Sequence, residues 1–266
     1  MGPRAMCSLP VFQHQSKVVN SKIIALMSIS HHRYLLILAA LFFMEWTALA
    51  IVPLYREDWA LENALVLAGV LALAATYKRL PMSRVSYTLI FLFLCLHEVG
   101  AHYTYAEVPY DQWFLSLTGG TLNEILGWER NNFDRVTHFC YGLLLAYPVR
   151  EVFLRVGNVR GFWGYFLPLV LTMATSMMFE LFEWGAAELF GGDLGMAYLG
   201  TQGDVWDGHK DMALASLGAL VAMSLTALLN LYLQRDFALE WTESLRVKRP
   251  EPLGEDEIAR LWRKRR

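Results

Sequence analysis

Six long, mostly apolar stretches dictate what this 266-residue chain can fold into. They run over 34–54, 60–77, 86–105, 134–154, 162–190 and 211–233. A bilayer core about 30 Å thick is crossed by about 20 helical residues at a rise of about 1.5 Å each. Inside lipid, water cannot satisfy backbone N–H and C=O groups, so each stretch must satisfy its own by forming a helix. The expected fold is therefore all-α: a polytopic membrane protein built as a bundle of about six transmembrane helices. The second stretch is the shortest, and the fifth is long enough to project beyond the bilayer. Composition agrees, with 55% hydrophobic and 18% charged residues against about 45–50% and about 25% in soluble domains. A net charge of −2 gives no basic surface for nucleic acid, so the expected partner is the lipid bilayer.

The spans divide the chain into an N-terminal tail over 1–33, a six-helix membrane domain over 34–235 and a C-terminal tail over 236–266. Lys and Arg in the loops set the orientation. The two tails, with Arg235 at the edge of the second, and the loops 78–84 and 150–160 hold 19 of the 23 basic residues. With six crossings all four segments fall on one side, leaving Arg56, Arg130, Arg135 and Lys210 for the other. Both termini are then cytoplasmic, and loops 106–133 and 191–210 face outward from an inner membrane. Residues 1–32 lack the apolar core and small-residue cleavage site of a signal peptide. Met27 is an alternative start, and the opening Met-Gly lacks the Ser or Thr of a myristoylation signal. Cys7, Cys95 and Cys140 have no metal-type spacing. Thr121 and Glu124 have capping-box spacing and sit near Trp113, Phe114 and Trp128, which makes short interfacial helices in loop 106–133 one reading and an ordinary anchored loop the other. The end of the C-terminal tail, acidic then basic, suits a short surface helix.

Ionisable residues gather at four span ends. The third span closes on His97, Glu98 and His102. The fourth opens on Asp134, Arg135 and His138. The fifth closes on Glu180 and Glu183, and the sixth opens on Asp204, Asp207, His209 and Asp211. Such groups are expensive in a membrane and mark function. With six crossings, all four ends lie at the outer face. Asp134/His138, Glu98/His102 and Asp207/Asp211 are i, i+4 pairs and Glu180/Glu183 an i, i+3 pair, so each helix can turn two polar groups to one face.

Two chemistries suit a chamber built this way. Imidazole and carboxylates bind a divalent metal, zinc or manganese, which activates water; His97, Glu98, His102, His138, Glu180 and Asp207 are the candidate ligands. Metal-free acid–base work is the second, with Asp134 orienting His138. Asp134, His138, Glu180, Glu183, Asp207 and Asp211 are the candidate catalytic residues in either case, and Arg135 and Lys210 the candidates for holding a phosphate-bearing substrate. A buried hydrogen-bonded network that ties helices together is the structural alternative. Gly218 is expected at a close helix–helix contact.

The segments "GAHYTYAEVP" at 100–109, "NNFDRVTHFCYG" at 131–142, "FELFEW" at 179–184 and "GTQGDVWDGHKDM" at 200–212 resemble the YjdF-like family of bacterial inner-membrane proteins. Four motifs in order, over roughly 35–233, carry the resemblance. It implies an inner-membrane location and a helical membrane fold rather than an activity. A more distant likeness is to the VanZ-like membrane proteins, associated with resistance to glycopeptide antibiotics. Asp134-Arg135 before His138-Phe139, Glu180 or Glu183 in the next span, and Asp211 seven residues before Gly218 match that pattern. Tyr141 stands one position nearer His138 than the pattern has it, and Ala215 stands where it has Asn.

The function expected from all this is an outward-facing His/Asp/Glu site in the inner membrane, acting by metal-assisted hydrolysis or transfer on a lipid-linked or headgroup-bearing substrate. The alternative is a non-enzymatic membrane protein, a transporter or scaffold, whose cluster binds a ligand or holds helices together. A transporter places its site near the midplane, usually between repeats and broken helices; this sequence shows neither.

Overall fold

The computed structural model describes residues 29–190, 192, 200–234, 236–248 and 254–264, and among them every regular element is a helix. The order is α1 (His31–Leu49), α2 (Arg56–Thr76), α3 (Arg84–Tyr103), α4 (Tyr110–Thr118), α5 (Leu122–Leu126), α6 (Phe133–Arg155), α7 (Trp163–Phe190), α8 (Asp207–Leu233), α9 (Phe237–Ser244) and α10 (Glu255–Lys264). The six apolar stretches reappear as the six long helices. Most of the N-terminal tail and of loop 191–199 lies outside the described residues.

Five of the six are long and apolar enough to cross a membrane: α1, α2, α3, α7 and α8. The sixth, α6, has the length, at 23 residues, but not the composition. Asp134 and Arg135 open it, while Arg150, Glu151 and Arg155 close it, leaving 136–149 as its uncharged stretch. At 1.5 Å per residue that stretch covers about 21 Å of a core about 30 Å thick, so the polar groups reach into both margins.

Local chemistry explains the boundaries. The Ser30 hydroxyl accepts from Arg33 N at 3.2 Å and starts α1. Ser83 does the same for α3, accepting from Ser86 N at 3.1 Å. The expected cap at Thr121 is present: its hydroxyl accepts from Glu124 N at 3.3 Å and opens α5. Gly119 and Gly127, both at positive φ, close α4 and α5, because glycine adopts the left-handed conformation at little cost. Loop 106–133 is thus a pair of short helices, and the charged end of the C-terminal tail forms α10.

The chain divides into two compact units: residues 1–137 with 186–203, and residues 138–185 with 204–266. In the first, α3 packs against both α1 and α2, and α4 against α5. In the second, Ala146, Tyr165, Ala219, Ala222 and Met223 form a buried core, covered in part by Phe237 and Trp241 of α9. Small residues dominate this core, because helices in lipid gain by close backbone packing rather than by excluding water. The α9 helix was not foreseen. Glu240 Oε1 accepts from Gly161 N at 3.1 Å and Ser244 Oγ from Phe162 N at 2.9 Å, fixing α9 to the start of α7.

Candidate functional site

In the second unit the site grows from a crossing of α6 and α8. Gly142 faces the backbone of Ala215 and Ala219, and Gly218 faces that of Phe139 and Leu143, so closely that a Cβ on either glycine would overlap a carbonyl oxygen. One turn before Gly142 on α6 is His138, and one turn before Ala215 on α8 is Asp211. The crossing therefore brings these two together: their ligand atoms lie within 4.8 Å. Both are buried, at 7% and 2% exposure.

Helix α7 adds Glu180, whose Oε1 is 3.5 Å from His138 Nε2. Its carboxylate rests against the first turn of α8, where a Cβ on Gly208 would come within 2.5 Å of Glu180 Oε2. The positive end of the α8 dipole favours a carboxylate there. Asp207, buried at 3%, is with Asp211 an electrostatic neighbour of His138. Asp134 precedes His138 by one turn of α6 in the sequence and belongs to the first unit. An imidazole with several carboxylates is a donor set for a zinc- or manganese-class ion. It also suffices for proton transfer by His138.

The remaining sequence candidates occupy other settings. Glu183 is half-buried one turn beyond Glu180. Lys210 pairs with Asp204 at 2.5 Å, so its ammonium is engaged by the chain itself. Arg135 Nη1 donates to Asn132 Oδ1 at 3.2 Å. His209 is exposed and packs edge-on against Trp206.

His97, Glu98 and His102 belong to the first unit. There His97 and Glu98 of α3 lie with Asp58 and Glu62 of α2, all four buried. His97 Nε2 is 4.0 Å from Glu62 Oε2, and its Nδ1 is 2.5 Å from the Tyr105 hydroxyl. His102 Nδ1 donates to the Leu49 carbonyl at 2.7 Å. Asp58 and Glu62 were missed by the sequence reading, which began the second span near them and passed them over. The available signal was their i, i+4 spacing at the head of an apolar helix, which turns both carboxylates to one face.

A family model described as predicted membrane protein (DUF2238) matches residues 34–232. The chain is also 40% identical, over 185 residues, to the inner membrane protein YjdF of Escherichia coli (strain K12), covering 69% of this chain and 84% of that one. No solved structure matches. The chain belongs to this family of membrane proteins, and with its spans the match makes it a multi-pass protein of the inner membrane.

Proposed function

We propose that this membrane protein uses the His138 site to hold a divalent ion, zinc or manganese, for hydrolysis or group transfer on a lipid-linked or headgroup-bearing substrate. The supporting observation is the meeting of His138, Glu180, Asp207 and Asp211 from three helices in a buried setting. Burying several carboxylates beside one imidazole costs free energy unless a cation or hydrogen bonds compensate, and a purely apolar packing of these helices would avoid that cost.

In this reading His138 and Asp211 are ligands. A divalent ion held there would supply a bound water of near-neutral pKa and a Lewis acid for a phosphoryl group. Glu180, next to His138, accepts the proton as the water oxygen bonds to phosphorus, and returns it to the leaving oxygen as that bond breaks. Arg135 balances charge on the non-bridging phosphate oxygens; Lys210 is less suited, being held by Asp204.

The asymmetry of basic residues supports cytoplasmic termini, with six crossings that include α6. The polar ends of α6 then fall at the two interfaces, and the His138 site faces outward. A cysteine placed at Val205, which is 86% exposed, should react with an impermeant maleimide in intact spheroplasts. Labelling only after lysis would reverse the orientation.

The function is tested by metal analysis of detergent-purified protein beside His138→Ala and Glu180→Ala. Metal in the wild type that is lost in His138→Ala, with an envelope-lipid phenotype in both variants, supports the reading. Wild-type metal content and phenotype in both variants would leave the cluster as the structural network of a scaffold or transporter.

A further inference from the structure

The first unit contains an acidic cluster that the His138 reading does not use. Asp58, Glu62 and Glu98 are 2%, 2% and 0% exposed. Oδ1 of Asp58, Oε2 of Glu62 and Nε2 of His97 receive no hydrogen bond from the protein, and Glu98 has the Asn63 amide beside it. Among the described residues no lysine or arginine pairs with any of these acids, and Asp58, Asp134 and Glu98 are electrostatic neighbours of Glu62. A buried carboxyl in apolar surroundings is kept by taking up a proton, by pairing with a cation or by coordinating a metal.

The geometry around His97 is what a ligand needs. The Tyr105 hydroxyl holds Nδ1 at 2.5 Å, which fixes the ring and leaves Nε2 directed at Glu62 Oε2, 4.0 Å away. That gap is too wide for a hydrogen bond. A tetrahedral ion bonded to both at about 2.0–2.2 Å sets the two atoms about 3.4 Å apart, so the flexible Glu62 carboxylate closes about half an ångström to share one. Metal-binding histidines characteristically have the far ring nitrogen held by a polar group in this way.

The chain bends its backbone to put Tyr105 there. Thr104 and Tyr105 both have positive φ, 54° and 48°, a costly conformation for a β-branched residue followed by an aromatic one. The Tyr105 ring lies where a Cβ on residue 100 would be, so only glycine fits at that position.

We propose that Glu62 and His97 bind a divalent first-row metal ion of the zinc or manganese class, with Tyr105 as the positioning residue for His97 and with Asp58 and Glu98 supplying surrounding negative charge. This site has donors of its own and does not depend on the His138 reading. The mixed nitrogen and oxygen donors suit manganese and zinc rather than copper(I).

The test is metal stoichiometry on the full-length protein in detergent, loaded with manganese, desalted and measured by mass spectrometry and by electron paramagnetic resonance. Wild type, Glu62→Gln, His97→Gln, Tyr105→Phe and His138→Gln are compared. Glu62→Gln and His97→Gln should each lose one equivalent that His138→Gln retains. Nitrogen hyperfine coupling belonging to that equivalent should vanish in His97→Gln. Tyr105→Phe keeps both ligands and should bind it about 10–100-fold more weakly, which keeps the proposal falsifiable if Glu62→Gln fails to fold. Undiminished metal in Glu62→Gln and His97→Gln, or unchanged affinity in Tyr105→Phe, would overturn it. Metal lost in His138→Gln alone would overturn this inference while leaving the His138 reading standing. Loss in Glu62→Gln and His97→Gln alone would do the reverse.

Discussion

Gly218→Ala asks how much of the second unit depends on one absent methyl group. Two effects oppose each other. Replacing a mid-helix glycine with alanine gains about 0.5–1 kcal/mol from backbone entropy and helix propensity. Against this, the new Cβ would overlap the Phe139 carbonyl oxygen and lie 2.8 Å from Leu143 N and 3.1 Å from Phe139 C. All three are backbone atoms of α6 and cannot swing aside, so the helices must separate. Restoring the Leu143 contact alone to an ordinary separation of 3.4 Å requires 0.6 Å, and the carbonyl requires more. Overpacking of this kind costs about 1–3 kcal/mol, so the clash should win by about 1–2 kcal/mol. Gly69→Ala and Gly185→Ala are internal controls. Both glycines are helical, with nothing within 4 Å of the added Cβ, so both changes should be neutral or slightly stabilising. The assay is reversible unfolding in mixed micelles, with denaturing detergent as the titrant. Gly218→Ala should also weaken the metal binding proposed at His138, because Asp211 sits on the part of α8 that moves. If Gly218→Ala proves as stable as Gly69→Ala, the close crossing of α6 and α8 is wrong.

Gly208→Ala meets only the Glu180 carboxylate, at 2.5 Å, a flexible group that can swing away. It should therefore change stability by less than about 0.5 kcal/mol while reducing any activity that needs Glu180 beside His138. Gly161→Ala places a Cβ 2.6 Å from the Glu240 carbonyl oxygen at a φ of +58°. The left-handed conformation alone costs about 1–2 kcal/mol for a residue with a Cβ, so α9 should detach and limited proteolysis should cut within 237–246. Gly100→Ala should expel the Tyr105 ring, since its Cβ and the ring cannot share that space; loss of phenol hydrogen bonding in ultraviolet resonance Raman spectra would show it, and an unaltered spectrum would count against the packing described.

What the amino-acid sequence determined is what local chemistry decides. Apolar runs become helices because hydrogen bonds in lipid must close within the segment, and all six stretches did so. Thr121 caps a helix because its hydroxyl needs only a neighbour three residues away. Gly218 and Asp211 were legible as a contact position and a site position because helical spacing puts them on related faces. Which helices those faces meet was decided by tertiary packing. Spacing assigns a residue to a face without naming the neighbour opposite. The packing of α2 against α3 gave His97 and Glu98 the companions Asp58, Glu62 and Tyr105, which spacing along α3 alone does not name. Spacing also did not show that Asp204 lies 2.5 Å from Lys210 or that the Leu49 carbonyl accepts from His102 Nδ1. Helical periodicity fixes directions over a few residues, whereas a site depends on distances between segments far apart in the chain, and only side-chain packing between helices sets those.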